Sequence, residues 1–236
     1  MTLIESTLSP SAEAFVAQAK ADAERAFRVL RQTGALSPNG TIYAVERIPG
    51  HELVVSLRDP GPWSNDPAVK PVVLTFGGTV VAGPAGASEA FGFGKLLERQ
   101  PHLSTVVHVH STHLGAWSQT HRPLPIRYVP VQRWTLANEL PIYIDRRQEQ
   151  VDFILDRLDE NPHTPAILEA NGGATVWGSR GLLATAEYIQ LLEEGAQFQI
   201  LAEAIGGSKP FGPGVLAQQW RISGLTEQAR EAGLLP

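Results

Sequence analysis

The sequence predicts a single α/β domain, and three observations carry that expectation. The 236 residues are 43% hydrophobic and 18% charged, enough apolar side chain for a sizeable core and too little charge for disorder. Helix-period and strand-period segments follow one another along the chain, the arrangement of a mixed α/β fold. No internal repeat or low-complexity segment divides it. Residues 1–236 are therefore read as one domain, with 207–236 a Gly/Pro-rich tail that turns polar toward its end.

Taken in order, Ser9-Pro10 opens a helix, since proline suits a first helical turn, and Phe15, Ala19, Ala23, Phe27 and Leu30 place its apolar stripe over residues 10–32. Gly34, Pro38, Asn39 and Gly40 end it, and residues 41–45 and 53–57 read as strands around Ile48-Pro49-Gly50. Strands at 72–75 and 79–81 flank Gly77-Gly78, a two-glycine hairpin turn. A short helix is expected over 88–99 and is stopped by Pro101, and a β-branched strand follows at 105–110. Next come a helix after Ser111, a strand near 126–129 and a helix over 147–158 that is apolar at Val151, Ile154, Leu155 and Leu158. Strands at 166–168 and 175–177 surround Asn171-Gly172-Gly173, and a long amphipathic helix runs over 182–205.

The formal charge is −5 and no basic run stands out, so nucleic acid is not an expected partner. The chain has no cysteine, which excludes thiolate ligands and a cysteine nucleophile and leaves histidine and carboxylates as the possible ligand set. No signal-like start and no run of about 18 apolar residues is present, so a cytoplasmic protein without a membrane span is expected.

The stretch most informative about chemistry is Val106-Val107-His108-Val109-His110-Ser111-Thr112-His113. Residues two apart on a strand project from one face, so His108 and His110 point together while Val107 and Val109 pack behind them. Such a pair is placed to grip one metal ion, although a hydrogen-bonded pair has the same spacing. His113 and His121 close by favour the metal. Imidazole with carboxylate suits Zn, Mn or Fe(II), and a bound ion would act as a Lewis acid toward a substrate carbonyl.

With Ser88-Glu89 nineteen positions before His108, and Leu96 to Leu103 as a helix-to-strand hinge, the chain resembles the class II aldolase/adducin family. Further points of similarity run from Gly34 through Gly77-Gly78, Arg122-Pro123-Leu124-Pro125 and 166–171 to Gly206. The resemblance implies a three-layer α/β/α sandwich around a mainly antiparallel sheet, a fourfold tetramer, and one divalent metal held by His108 and His110. It also implies Glu89 as the catalytic acid/base, although a glutamate at a helix start is favoured by the helix dipole as well. The family's third histidine belongs to an Asn-His-Gly turn, where this chain has Asn171-Gly172-Gly173. Three outcomes stay open. Another residue such as His113, His121 or Glu169 completes the shell; Glu89 itself coordinates, giving two histidines and a carboxylate; or the chain is a non-catalytic, adducin-like module.

The family's phosphate loop is replaced by Pro38-Asn39-Gly40-Thr41-Ile42-Tyr43, with few hydroxyls, so a typical sugar phosphate is not expected. Tyr128, Arg133, Trp134 and Trp177 point instead to a carboxylated or aromatic substrate, Trp177 being also suited to the core. The leading expectation is a metal-dependent lyase, an aldolase or a decarboxylase of a hydroxy or keto acid working through a metal-stabilised enolate. A non-haem Fe(II) oxygenase of an aromatic keto or hydroxy acid is the alternative. Gly92-Phe93-Gly94-Lys95 lacks Walker spacing, and the later glycines form no dinucleotide fingerprint, so no nucleotide cofactor is expected. His51 and His163, beside turn residues, receive no role.

Overall fold

The computed structural model describes residues 3–4, 8–84, 87 and 92–236. In chain order its elements are β1 (Leu3–Ile4), α1 (Pro10–Gln32), β2 (Ile42–Arg47), β3 (Leu53–Arg58), β4 (Val72–Thr75), β5 (Val80–Pro84), α2 (Phe93–Arg99), β6 (Thr105–Val109), α3 (Thr112–Ser118) and β7 (Leu124–Pro125). A 3-10 turn (Val129–Arg133) leads to β8 (Glu139–Leu140), β9 (Ile142–Tyr143), α4 (Gln150–Glu160), β10 (Ala166–Glu169), β11 (Ala174–Gly178), α5 (Gly181–Glu203), α6 (Val215–Ser223) and α7 (Thr226–Glu231).

Among the described residues one large sheet has the order β1-β5-β4-β3-β2-β6-β11-β10-β9, and only its β9–β10 pair is parallel. The strand period of two then distributes the core. Ile42, Ala44, Val107, Val109, Ala174 and Val176 face α1, α3 and α5, where Phe27, Leu30, Leu114, Leu182 and Ile189 cover them. Tyr43, Val45, Val106, Ile167 and Trp177 face the other way, under Phe93, Leu96 and Leu97 of α2 and Val151, Ile154 and Leu155 of α4. The expected α/β/α sandwich is the observed one.

Local chemistry explains the principal boundaries. Ser9 caps α1 by accepting the Ala12 N–H at 3.2 Å, Pro10 occupies the first turn, and Gly34 turns the chain away with a φ of 77°. α5 starts differently, because the carboxylate of Glu46 on β2 reaches across to accept the Leu182 N–H at 2.7 Å and the Thr105 hydroxyl at 2.8 Å.

Two expectations need correction. The strand near 126–129 is replaced by the two-residue β7, paired with β8, and by the 3-10 turn, because Pro125 and Pro130 remove the N–H donors that a longer ladder needs. The helix expected over 147–158 begins only at Gln150, after a turn in which Asp145 accepts from the Arg147 backbone. Within 207–236, α6 and α7 dock Trp220 and Ala229 against Leu136, and the Trp220 indole donates to the Thr135 carbonyl. The helix expected over 88–99 is seen from Phe93, and residues 88–91, Glu89 included, lie outside the described residues.

Candidate metal centre

β6 is the strand that builds the site. Held between β2 and β11, all five of its residues are buried, and the register sets His108 directly between Tyr43 and Thr175. The His108 side chain shares the α2/α4 face of the sheet with Val106. There the Tyr43 ring lies 5.9 Å from the imidazole and stacks on Phe93 at 5.5 Å.

His108 does not stand alone. Its Nδ1 lies 2.8 Å from Oε1 of Glu169, two strands away on β10. The same oxygen accepts from the Thr175 hydroxyl at 2.7 Å and from Nε2 of Gln150 at 2.9 Å, while Oε2 lies 3.5 Å from Nη1 of Arg146. Burial alone would raise the Glu169 pKa, but the hydrogen bond and charge of His108, the Thr175 hydroxyl and Arg146 outweigh it and hold the group at about 2. An ionised carboxylate has no proton to give, so His108 donates through Nδ1, and its neutral tautomer carries the lone pair on Nε2. Metal-ligating histidines are oriented in this way by a carboxylate behind them.

His110 follows at the end of β6, with its ring centroid 4.9 Å from that of His108 and the planes at 69°. Burial first, and then its neighbour His108, lower its pKa below the ordinary imidazole value, against the opposing pull of Glu169. A neutral imidazole is the form that ligates a metal. The two rings and the carboxylate behind them thus suit a divalent ion. No group of three or more His, Asp or Glu side chains converges as a metal site among the described residues.

The additional candidates are not brought to this pair. His113 is tied to the opposite face of the sheet, where Glu193 of α5 accepts from its ring Nδ1 at 2.9 Å and from the Leu114 N–H at 2.9 Å. Tyr128 donates to Glu194, and Arg133 to Gln219. His121 bonds Asn171 at 2.7 Å, on the outer side of the β10–β11 turn. Glu169 takes three hydrogen-bond partners on Oε1 and stands behind His108. In the turn itself, Gly173 lies so close to β6 that an added Cβ would sit 2.0 Å from the Val109 carbonyl oxygen. Gly172 is less confined. A Cβ there would meet the Glu169 carbonyl oxygen at 3.3 Å and Nη2 of Arg146 at 3.8 Å, so an arginine lies in the direction a side chain at 172 would take.

Gln150, Thr175 and Arg146 were not foreseen. Thr175 had a usable signal, since it alternates with Trp177 on a strand and must share the face of Glu169 and His108 once the strands are adjacent. A cavity of about 380 Å³ lies against Tyr43 and is lined further by Ser56, Arg58, Asp66, Lys70 and Ala87 among others. Its link to the histidines is the β3–β2–β6 row, in which Arg58 faces Tyr43 and Tyr43 faces His108.

Comparison with known proteins places the fold in a family. Residues 66–200 match the Class II Aldolase and Adducin N-terminal domain. The chain belongs to the class II aldolase and adducin family, which in general terms is one of metal-dependent, aldolase-like lyases. Among solved structures it is similar to L-fuculose 1-phosphate aldolase from Glaciozyma antarctica, with a TM-score of 0.67 at 16% identity over 96% of this chain and 92% of that one. An aldolase II superfamily protein from Pseudomonas syringae gives 0.62 at 20% identity, over 95% of both chains. L-fuculose-1-phosphate aldolase from Thermus thermophilus gives 0.62 at 20%, over 83% of this chain and all 100% of that one. At these identities the likeness is one of fold. No curated protein matches the chain.

Proposed function

We propose that the protein is a metal-dependent lyase that cleaves or decarboxylates a hydroxy or keto acid. The observation that carries this reading is the His108–His110 pair on one sheet face, with His108 fixed by ionised Glu169. His108 and His110 would hold the ion, and Glu169, Thr175 and Gln150 would keep the first imidazole in its ligating orientation. A divalent ion supplies a Lewis acid that lets negative charge grow on a substrate carbonyl oxygen.

The remaining work falls to the chain's own groups. Glu89 is assigned the proton transfer, on its place before α2 in the sequence. Arg58 lines the neighbouring cavity beside Lys70, whose charge is answered by Asp66 at 2.8 Å, and its guanidinium is the group that would receive a carboxylate. Self-association of the kind the family resemblance implies would cover Phe198, Leu201 and Ile205, which are exposed toward the end of α5 and just beyond it.

Elemental analysis of protein purified without added metal tests the reading. One divalent ion per chain is expected, lost in both His108→Ala and His110→Ala. Glu89→Gln should keep the ion and lose turnover on hydroxy or keto acids. Protein without metal in any preparation overturns the lyase. Iron with substrate-dependent oxygen consumption replaces it by the oxygenase, a chemistry that the missing imidazole at Gly172 favours.

A further inference from the structure

Arg133, Trp134 and Trp177, which the sequence suggests as substrate groups, do come together, but away from the histidines. They line a cavity of about 390 Å³ with Arg180, Tyr188 and residues of the C-terminal helices, a volume in the range of small-molecule sites. Gly178, also on its wall, pairs with Thr105 at the start of β6, whereas Thr175 pairs with His108. Three residues of strand put the cavity about 10 Å from His108, at the other end of the sheet.

Its chemistry is specific. Trp134 stacks on Tyr188 with centroids 5.1 Å apart and planes at 14°, and the Arg180 guanidinium lies 3.9 Å over the Trp134 ring. A guanidinium whose face is covered in this way keeps its in-plane N–H donors for a carboxylate. Arg133 is held to Gln219 through Nε at 2.8 Å, a bond that does not use its terminal amino groups. No Asp or Glu lines the cavity among the described residues, so two positive charges face it without an opposing one. The Tyr188 hydroxyl behind the stacked ring is buried, with no hydrogen-bond partner among the described residues, and burial raises its pKa.

We propose that this cavity is a second binding site, separate from the metal centre, for a small aromatic carboxylate. The ring would lie against the tryptophan edges and the carboxylate would meet Arg180 and Arg133.

The test is titration of metal-stripped protein with benzoate, followed by tryptophan fluorescence and calorimetry, with benzyl alcohol and inorganic phosphate as controls. Saturable binding of one benzoate per chain is expected, with neither control binding comparably. His108→Ala should bind benzoate as the parent does. Arg180→Gln should weaken binding about tenfold or more, as expected for a lost charge-assisted hydrogen bond. Absence of saturable binding overturns the proposal, as does equal binding of phosphate, insensitivity to Arg180→Gln, or loss of binding in His108→Ala.

Discussion

Glu169 and His108 are joined across the sheet by a 2.8 Å contact between a carboxylate oxygen and Nδ1, although 61 positions separate them in the chain. The carboxylate is buried and ionised, and it collects three donors on one oxygen. Replacing it with an amide leaves the shape and removes the charge that fixes the imidazole. Glu169→Gln is expected to lower divalent-metal affinity by about 10–100-fold, the usual cost of losing an outer-shell carboxylate. Competition with a chromogenic chelator measures it, and unchanged affinity would remove Glu169 from the site.

The two glycines of the β10–β11 turn should respond oppositely to substitution. At Gly173 a methyl group collides with the Val109 carbonyl, so Gly173→Ala is expected to lose about 3 kcal/mol in a urea melt. At Gly172 the nearest contact is 3.3 Å, which a small shift relieves. Gly172→His should therefore fold and, by returning an imidazole to the family's third position, raise zinc affinity roughly tenfold or more. Equal affinity in the variant and the parent would mean that position 172 does not address the metal.

Glu46 gives a pH dependence whose sign follows from burial. Burial raises its pKa, against the lowering effect of the Thr105 and Leu182 hydrogen bonds. Between the ordinary carboxylate value and this raised value the folded state holds more protons than the unfolded state, so stability falls as pH rises through that window. Glu46→Gln keeps an oxygen for both donors and carries no charge. It should melt a few degrees above the parent at pH 7–8, on a scale of about 2–4 °C per kcal/mol, with the difference closing near pH 4. Differential scanning fluorimetry across pH reads this directly, and a parent that is more stable than the variant at pH 8 would refute it.

The C-terminal helices are held by one large side chain. Trp220 is buried, and its indole bonds the Thr135 carbonyl at 3.3 Å. Trp220→Ala should cost about 3–5 kcal/mol, the range for emptying a buried aromatic position. Limited proteolysis should then cut the chain within 207–236 well before the rest, and a resistant tail would show that the docking does not depend on Trp220.

What the sequence discloses, and what it withholds, divides along physical lines. α1 was legible because Ser9, Pro10 and an alanine-rich stripe are local signals, and β6 was legible because alternation is a property of neighbours. The histidine pair came with it. The partnership with Glu169 was not, since it needs the strand order β6-β11-β10, which no local pattern encodes. For the same reason Arg133, Trp134 and Trp177 looked like companions of the histidines when the sheet sets them at its far end. Closely spaced Gly and Pro before Val215 marked 207–236 only by composition, while a single tryptophan beyond them decided its packing.

The five buried residues of β6 serve two masters at once: its odd-numbered valines knit the layer under α5, and even-numbered His108 looks into the chemistry. A slip of one position between β2 and β11 would therefore drive an imidazole into hydrocarbon and present a valine to Glu169. Misfolding and inactivity would arrive together. The ladder that keeps the protein folded is the same ruler that measures out its reactive groups.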